Sequence, residues 1–128
     1  MHTKNFTSRE FVCKCGKCEY SHDRPDIIVP TLLVALQELR DKYQRPIVIT
    51  SGRRCERHNR DVGGKIRSYH LTGLAADICG VDMLELARLA PAIPAFRYIE
   101  LHDRYIHVDV GKTRRHRIMD YRTVKEVS

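Results

Sequence analysis

Apolar residues recur along residues 31–43 at the spacing of an amphipathic α-helix. Its predicted apolar stripe consists of Leu32, Leu36, Leu39 and Tyr43. Thr31 is a candidate N-cap, and Pro46 prevents the helix from continuing. A second amphipathic helix is predicted over "VDMLELARLAP", residues 81–91, with Asp82 as its cap.

Four short runs along the chain predict strands. Two of them, "PIVIT" at 46–50 and "LAADI" at 74–78, are brief apolar segments of the kind found in buried strands. The other two, "FRYIEL" at 96–101 and "RYIHVDV" at 104–110, follow each other closely and predict a β-hairpin. Helices and strands are mixed, so the predicted fold class is α+β, with a small mixed or antiparallel sheet flanked by helices.

Alternation in the last of these runs divides its side chains between two faces of the sheet. The apolar face is predicted to carry Ile106, Val108 and Val110. The other face carries Tyr105, His107 and Asp109. This strand is therefore expected to present its polar side chains together.

A chain of 128 residues has the usual size of one domain. We expect a single domain over 1–128, with a loop-rich lead-in at 1–29 and a basic tail at 112–128 that begins with an edge strand. No apolar stretch reaches the length of a membrane span, so membrane insertion is not expected. The start, "MHTKNFTSREF", lacks the apolar segment of a secretory signal, so we expect synthesis in the cytoplasm and release by another route.

The net charge of +7 and the pI of about 9.4 favour a polyanionic partner. Nucleic acid, an anionic membrane and an anionic cell-wall polymer all have that property. Charge alone does not choose among them.

Three of the five cysteines crowd into "CKCGKC", as Cys13, Cys15 and Cys18. That spacing favours a bound metal or reduced thiols over a secreted disulfide framework. A structural zinc site of four thiolates would need Cys55 or Cys79 as its fourth ligand. Unligated thiols or one disulfide are the alternatives.

A carboxylate, Asp77, ends the apolar run "SYHLTGLAADI" at 68–78. A buried carboxylate is tolerated only when it is paired or bound to a metal. Together with His70 and His107 it makes a set of three zinc ligands, the number that a catalytic zinc site takes from its protein. Each of the three also has an ordinary interpretation, as a hydrogen-bonded histidine or as an aspartate paired with arginine.

The motifs "ITSGRRCERHNRDVGG", "SYHLTGLAADI" and "YIHVDV" resemble, in order, those of the LAS-type zinc metallopeptidases. This family includes D-Ala-D-Ala carboxypeptidases and L-alanyl-D-glutamate endopeptidases. The segment "REFVCKCG" is similar to the N-terminal part of small bacterial and phage-encoded members. The resemblance implies a hedgehog/DD-peptidase-like fold and one catalytic Zn²⁺ bound by His70, Asp77 and His107. It also implies that Arg54 holds a substrate oxygen and that Ser68 contacts substrate or the ligand loop.

The general base is where the sequence departs from the family pattern. Many relatives have an acidic residue three positions before the last histidine, and here that position is Arg104. We expect Asp103 to be the base, with Glu100 and His102 as alternatives. Asp109 could instead orient His107.

The activity implied by the resemblance is hydrolysis of an amide bond in a peptidoglycan stem peptide by a monomeric enzyme. Which bond is cut stays open, as does a phage or cellular origin; release through a holin would suit a phage endolysin. A wall-binding module without catalysis is one alternative, and Arg104 favours it. A zinc-knuckle protein that binds nucleic acid is a weaker one, because aromatic residues are not interleaved with the basic ones.

Overall fold

The computed structural model describes residues 1–111 and 116–123. Much of the predicted basic tail, at 112–115 and 124–128, therefore lies outside the described residues. The described residues form three α-helices: α1 (Pro30–Tyr43), α2 (Glu56–Asp61) and α3 (Met83–Leu89). The strands are β1 (Val48–Ser51), β2 (Ala75–Cys79), β3 (Tyr98–Leu101), β4 (Ile106–Asp109) and β5 (Arg117–Asp120).

Both predicted amphipathic helices are confirmed, but one predicted cap is wrong. Asp82 caps α3 as expected, because its carboxylate accepts from Glu85 N at 3.1 Å. Helix α1 has Val29 as N-cap, two residues before the predicted cap, and Pro30 in its first turn. Proline suits that position, because its missing N–H would have no partner in the helix. Thr31 therefore lies inside the helix.

The strands form one sheet in the order β1-β2-β4-β3-β5. Strands β3 and β4 are the predicted antiparallel hairpin. The predicted edge strand is present as β5, and it pairs with β3 in parallel, so the sheet is mixed. The fold class predicted from the sequence, a small α+β fold, is confirmed.

The register of the sheet separates an apolar face from a polar one. Alternate residues of the three central strands belong to the hydrophobic core, namely Ala76, Ile78, Ile99, Leu101, Ile106 and Val108. Helix α1 adds Leu32, Leu33, Leu36 and Leu39 to the same core. On the opposite face, His107 pairs across strands with Asp77 on one side and Glu100 on the other. Polar side chains from three strands therefore lie next to one another on this face of the sheet.

The lead-in packs against the sheet although it contains little regular structure beyond two short 3-10 helices. Phe6, Phe11, Ile27 and Ile28 are all buried. Phe11 O accepts from Arg53 N at 2.8 Å, directly after strand β1. A Cβ at Gly52 would lie 2.6 Å from Phe11 Cα, so only glycine allows this close approach. The lead-in thus holds the segment that leaves β1.

None of the helices within residues 1–111 and 116–123 is long and apolar enough to span a bilayer.

Candidate metal centre

The structure brings His70, Asp77 and His107 together on the polar face of the sheet. Their candidate ligand atoms all lie within 4.8 Å of one another. Asp77 Oδ1 is 3.2 Å from His70 Nε2 and 3.1 Å from His107 Nδ1. His70 and Asp77 are buried and His107 is partly buried, so the cluster has little exposure to solvent.

His70 is positioned by a short 3-10 helix, Tyr69–Thr72, that precedes β2. Ser68 caps this helix, and its Oγ accepts from His70 N at 3.1 Å. Gly73 ends it in the left-handed region with φ 75°, and a Cβ there would lie 2.6 Å from Ile27 O. Ser68 thus contacts the ligand loop, one of the two roles that the resemblance implied for it.

The second ring nitrogen of each histidine also has a partner. His70 Nδ1 lies 2.7 Å from Gly52 O, at the end of β1. His107 Nε2 lies 2.9 Å from Asp109 Oδ2, and Gly111 N holds the other oxygen of Asp109 at 3.2 Å. Such contacts orient the ring of a metal-binding histidine and select its tautomer. Asp109 therefore occupies the orienting position considered for it from the sequence.

Asp77 and His107 shift each other's pKa. Burial opposes ionisation of Asp77, but hydrogen bonds from His107 and His70 outweigh it and hold the pKa of the carboxyl well below its usual range. Burial also opposes protonation of His107, yet Asp109 and Asp77 raise its pKa to about 9. The cluster therefore favours an anionic carboxylate facing positive charge.

Arg54 is bonded through all three of its side-chain nitrogens. Nη2 donates to Asp77 Oδ2 at 3.1 Å, Nε to Ser51 Oγ at 3.0 Å, and Nη1 to Asn59 Oδ1 at 3.2 Å. The Arg54 side chain is only 13% exposed. Arg54 thus neutralises the oxygen of Asp77 that faces away from the histidines, and it is held rigidly at the edge of the cluster.

A cavity of about 210 Å³ opens over these side chains. Besides the three candidate ligands, its lining includes Arg54, Lys65, Arg67, Ser68, Tyr98, Glu100, Tyr105 and Asp109. Glu100 accepts from Tyr98 OH at 2.7 Å and lies 3.0 Å from His102 Nε2. Burial opposes its ionisation, but these two contacts outweigh it, so the pKa of Glu100 is lowered. A carboxylate and several cations therefore face one cavity.

Asp103, the predicted base, is engaged elsewhere. It is exposed in the turn between β3 and β4, where its carboxylate accepts from Thr123 N at 2.9 Å and from the hydroxyl of the same threonine. Among the described residues that line the cavity, Glu100 is present and Asp103 is not. His102 stacks on Tyr105 and contacts Glu100, so it supports the alternative carboxylate.

Sequence reasoning missed Tyr98, Lys65 and Arg67 as residues of this cavity. The signal for Tyr98 was present, because a strand places residues two apart on the same face and Tyr98 lies two before Glu100. Lys65 and Arg67 lie in a loop, for which no such periodicity exists. Their place in the cavity depends on the path of the loop, which the sequence pattern does not specify.

A second group of candidate ligands lies outside the cavity. The sulfurs of Cys13, Cys15, Cys18 and Cys55 are all within 4.8 Å of one another. Burial raises the pKa of the Cys13 thiol to about 12, whereas hydrogen bonds from Ser21 and the Lys17 amide lower that of Cys15 to about 6. Of the two fourth ligands considered from the sequence, the structure brings Cys55 to the group.

The donor chemistry of the cavity cluster fits a zinc ion. Two imidazole nitrogens and one carboxylate oxygen form a recognised catalytic zinc set, in which one position stays open to water or substrate. All three residues line the cavity. Together, the fold and the site define a small α+β domain with a candidate metal centre that faces a cavity.

The family model described as Peptidase M15 matches residues 4–109. The chain therefore belongs to the Peptidase M15 family, the LAS-type metallopeptidases, whose members are zinc-dependent peptidases that act on peptide substrates. No curated protein matches the chain.

Replacing Asp109 with asparagine should weaken zinc binding at the cavity. The variant keeps the side-chain volume but removes the charge that orients His107, a change that typically costs about 10–100-fold in metal affinity or activity. The measurement is the free Zn²⁺ concentration that half restores peptidase activity to metal-stripped protein. Asp41→Asn, an exposed change on α1, serves as the control; equal midpoints for the two variants would contradict the role of Asp109.

Proposed function

We propose that this chain hydrolyses an amide bond in the stem peptides of peptidoglycan, with one catalytic Zn²⁺ bound by His70, Asp77 and His107. The observation that carries the proposal is the joint placement of this ligand set, the Glu100 carboxylate and Arg54 around one cavity. Hydrolysis needs an electrophile, a proton acceptor and a group that holds the substrate. The residues proposed for all three roles line the same cavity, which supports the proposal.

Held by His70, Asp77 and His107, a zinc ion would supply Lewis-acid chemistry, which would polarise a carbonyl and lower the pKa of water to about 7. Glu100 is the general base in this proposal, in place of Asp103. It takes the proton of the attacking water and returns it to the leaving amine. Tyr98 OH and His102 hold its carboxylate in place, at 2.7 and 3.0 Å.

Arg54 stabilises negative charge that develops on the substrate carbonyl oxygen. Its bonds to Ser51 and Asn59 fix the guanidinium before substrate arrives, so little reorganisation is needed. Lys65 and Arg67 add positive charge to the cavity wall. Stem peptides carry carboxylates on D-glutamate and at their C-terminus, so a cationic wall supports this class of substrate.

The net charge of the protein also supports a proposal about where it acts. A net charge of +7 suits a protein that works against an anionic wall polymer. In this proposal the monomeric enzyme acts on the wall after release from the cytoplasm by a holin-type or other route. The proposal does not include binding to nucleic acid.

Mass spectrometry of purified muropeptides tests the proposal. Incubation with the zinc-loaded protein should shorten the stem peptides, and the mass lost identifies the bond: D-alanine alone for a carboxypeptidase, or a longer fragment for an endopeptidase. A strong chelator should stop the reaction, and added Zn²⁺ should restore it. Binding to peptidoglycan without any change in mass would instead favour the wall-binding module.

A further inference from the structure

Four cysteine sulfurs converge at a point where two distant parts of the chain meet. Cys13, Cys15 and Cys18 come from the lead-in, in a loop that turns at Gly16 with φ 71°. Cys55 is the N-cap of helix α2. The peptidase reaction uses none of these side chains, and none lines the cavity among the described residues.

The spacing of the sulfurs fits a tetrahedral thiolate site. With Zn–S bonds of about 2.3 Å, the sulfurs of a tetrahedron lie roughly 3.8 Å apart. Cys55 Sγ lies 3.9 Å from both Cys13 Sγ and Cys15 Sγ, and all four sulfurs lie within 4.8 Å of one another. Little movement is needed to close such a site.

Backbone amides already point at these sulfurs. Lys17 N donates to Cys15 Sγ at 3.4 Å, Cys55 N to Cys13 Sγ at 3.5 Å, and His58 N to Cys55 Sγ at 3.4 Å. Amide donors stabilise the negative charge that thiolates keep when they bind a metal. Two lysines in the same loop, Lys14 and Lys17, add positive charge close to the group.

We propose that Cys13, Cys15, Cys18 and Cys55 bind a second, structural zinc ion. Four Zn–S bonds form, the protons that the thiols still carry leave to solvent, and no oxidation occurs. Because all four positions belong to the protein, this ion has no open position for a substrate. Cys79, at the end of β2, takes no part.

The cysteine site ties the lead-in to the active-site arginine. Cys55 directly follows Arg54, whose backbone N–H donates to His70 O at 2.9 Å. Arg53 N donates to Phe11 O in the lead-in at 2.8 Å. A metal that joins Cys55 to residues 13–18 therefore restrains the short segment that carries Arg54. Its role is to position that segment.

Cobalt substitution tests this proposal independently of catalysis. Thiolates bound to Co²⁺ give an intense sulfur-to-metal charge-transfer band in the near ultraviolet, which a site of two histidines and one aspartate does not give. The reduced, Co²⁺-loaded wild-type protein should show the band, and Asp77→Ala should keep it. Cys18→Ser should lose most of it, and the matched variant Cys79→Ser should match the wild type.

Zinc content gives a second readout. Wild-type protein purified under reducing conditions should hold two zinc ions per chain, and Cys18→Ser and Asp77→Ala should each hold one. Failure of the proposed peptidase site would remove only the zinc that depends on Asp77, so the two failures are distinguishable. The cysteine site is refuted if reduced, Co²⁺-loaded wild-type protein gives no thiolate band, or if Cys18→Ser holds as much zinc as the wild type.

Discussion

Asp77→Ala should abolish peptide hydrolysis and remove the catalytic zinc. Asp77 Oδ1 contacts both histidines and Oδ2 pairs with Arg54, so one substitution removes a proposed metal ligand and the partner of an arginine. The loss of activity should exceed the roughly 10²–10⁴-fold expected for loss of a general base alone. Hydrolysis of a stem peptide and zinc content are the two measurements.

A folding control is needed because removal of one partner of a buried ion pair can cost about 3–5 kcal/mol. Asp77→Asn keeps the side-chain volume and an oxygen acceptor, so it should remain folded by circular dichroism while losing the charge that binds zinc. Asp41→Ala, on the exposed side of α1, should retain full activity. Wild-type activity in either Asp77 variant would rule out the proposed centre.

The elements of the fold could be predicted where a local pattern specified them. The stripe of leucines in α1, the Asp82 cap and the alternation in β4 each depend on residues close together in sequence. The parallel pairing of β3 with β5 joins two segments that are not neighbours along the chain. No local pattern contains that information, so the sequence could indicate an edge strand but not its partner.

The site was predictable to a different extent for each residue. The chemistry of the side chains suggested the grouping of His70, Asp77 and His107, and the family resemblance strengthened it, since a histidine in a strand has ordinary structural interpretations of its own. Their convergence follows from cross-strand register, which pairs Asp77 with His107. That same register pairs Glu100 with His107, whereas Asp103 lies in the turn beyond the paired residues. The number of residues between His107 and each carboxylate does not show that Glu100 pairs with His107 and that Asp103 does not.

Glu100→Gln should lower kcat for peptide hydrolysis by about 10²–10⁴-fold while zinc content stays unchanged. Glutamine keeps the size of the side chain and can still contact Tyr98 and His102, but it cannot accept the proton of water. Because the effect falls on proton transfer, KM should change much less than kcat. Steady-state kinetics on a defined stem peptide, with metal analysis of the same samples, measure both.

Asp103→Asn is the matched variant, since it removes a carboxylate three residues away in the same hairpin. Its carboxylate accepts from Thr123, so its loss should loosen that contact and leave kcat within a few-fold of wild type. The reverse pattern, with Asp103→Asn inactive and Glu100→Gln active, would make Asp103 the base. The turn would then have to release Thr123 and move toward His107 when substrate binds. Loss of kcat in both variants at full zinc content would mean that the hairpin acts as a unit, with Asp103 holding the turn that positions Glu100.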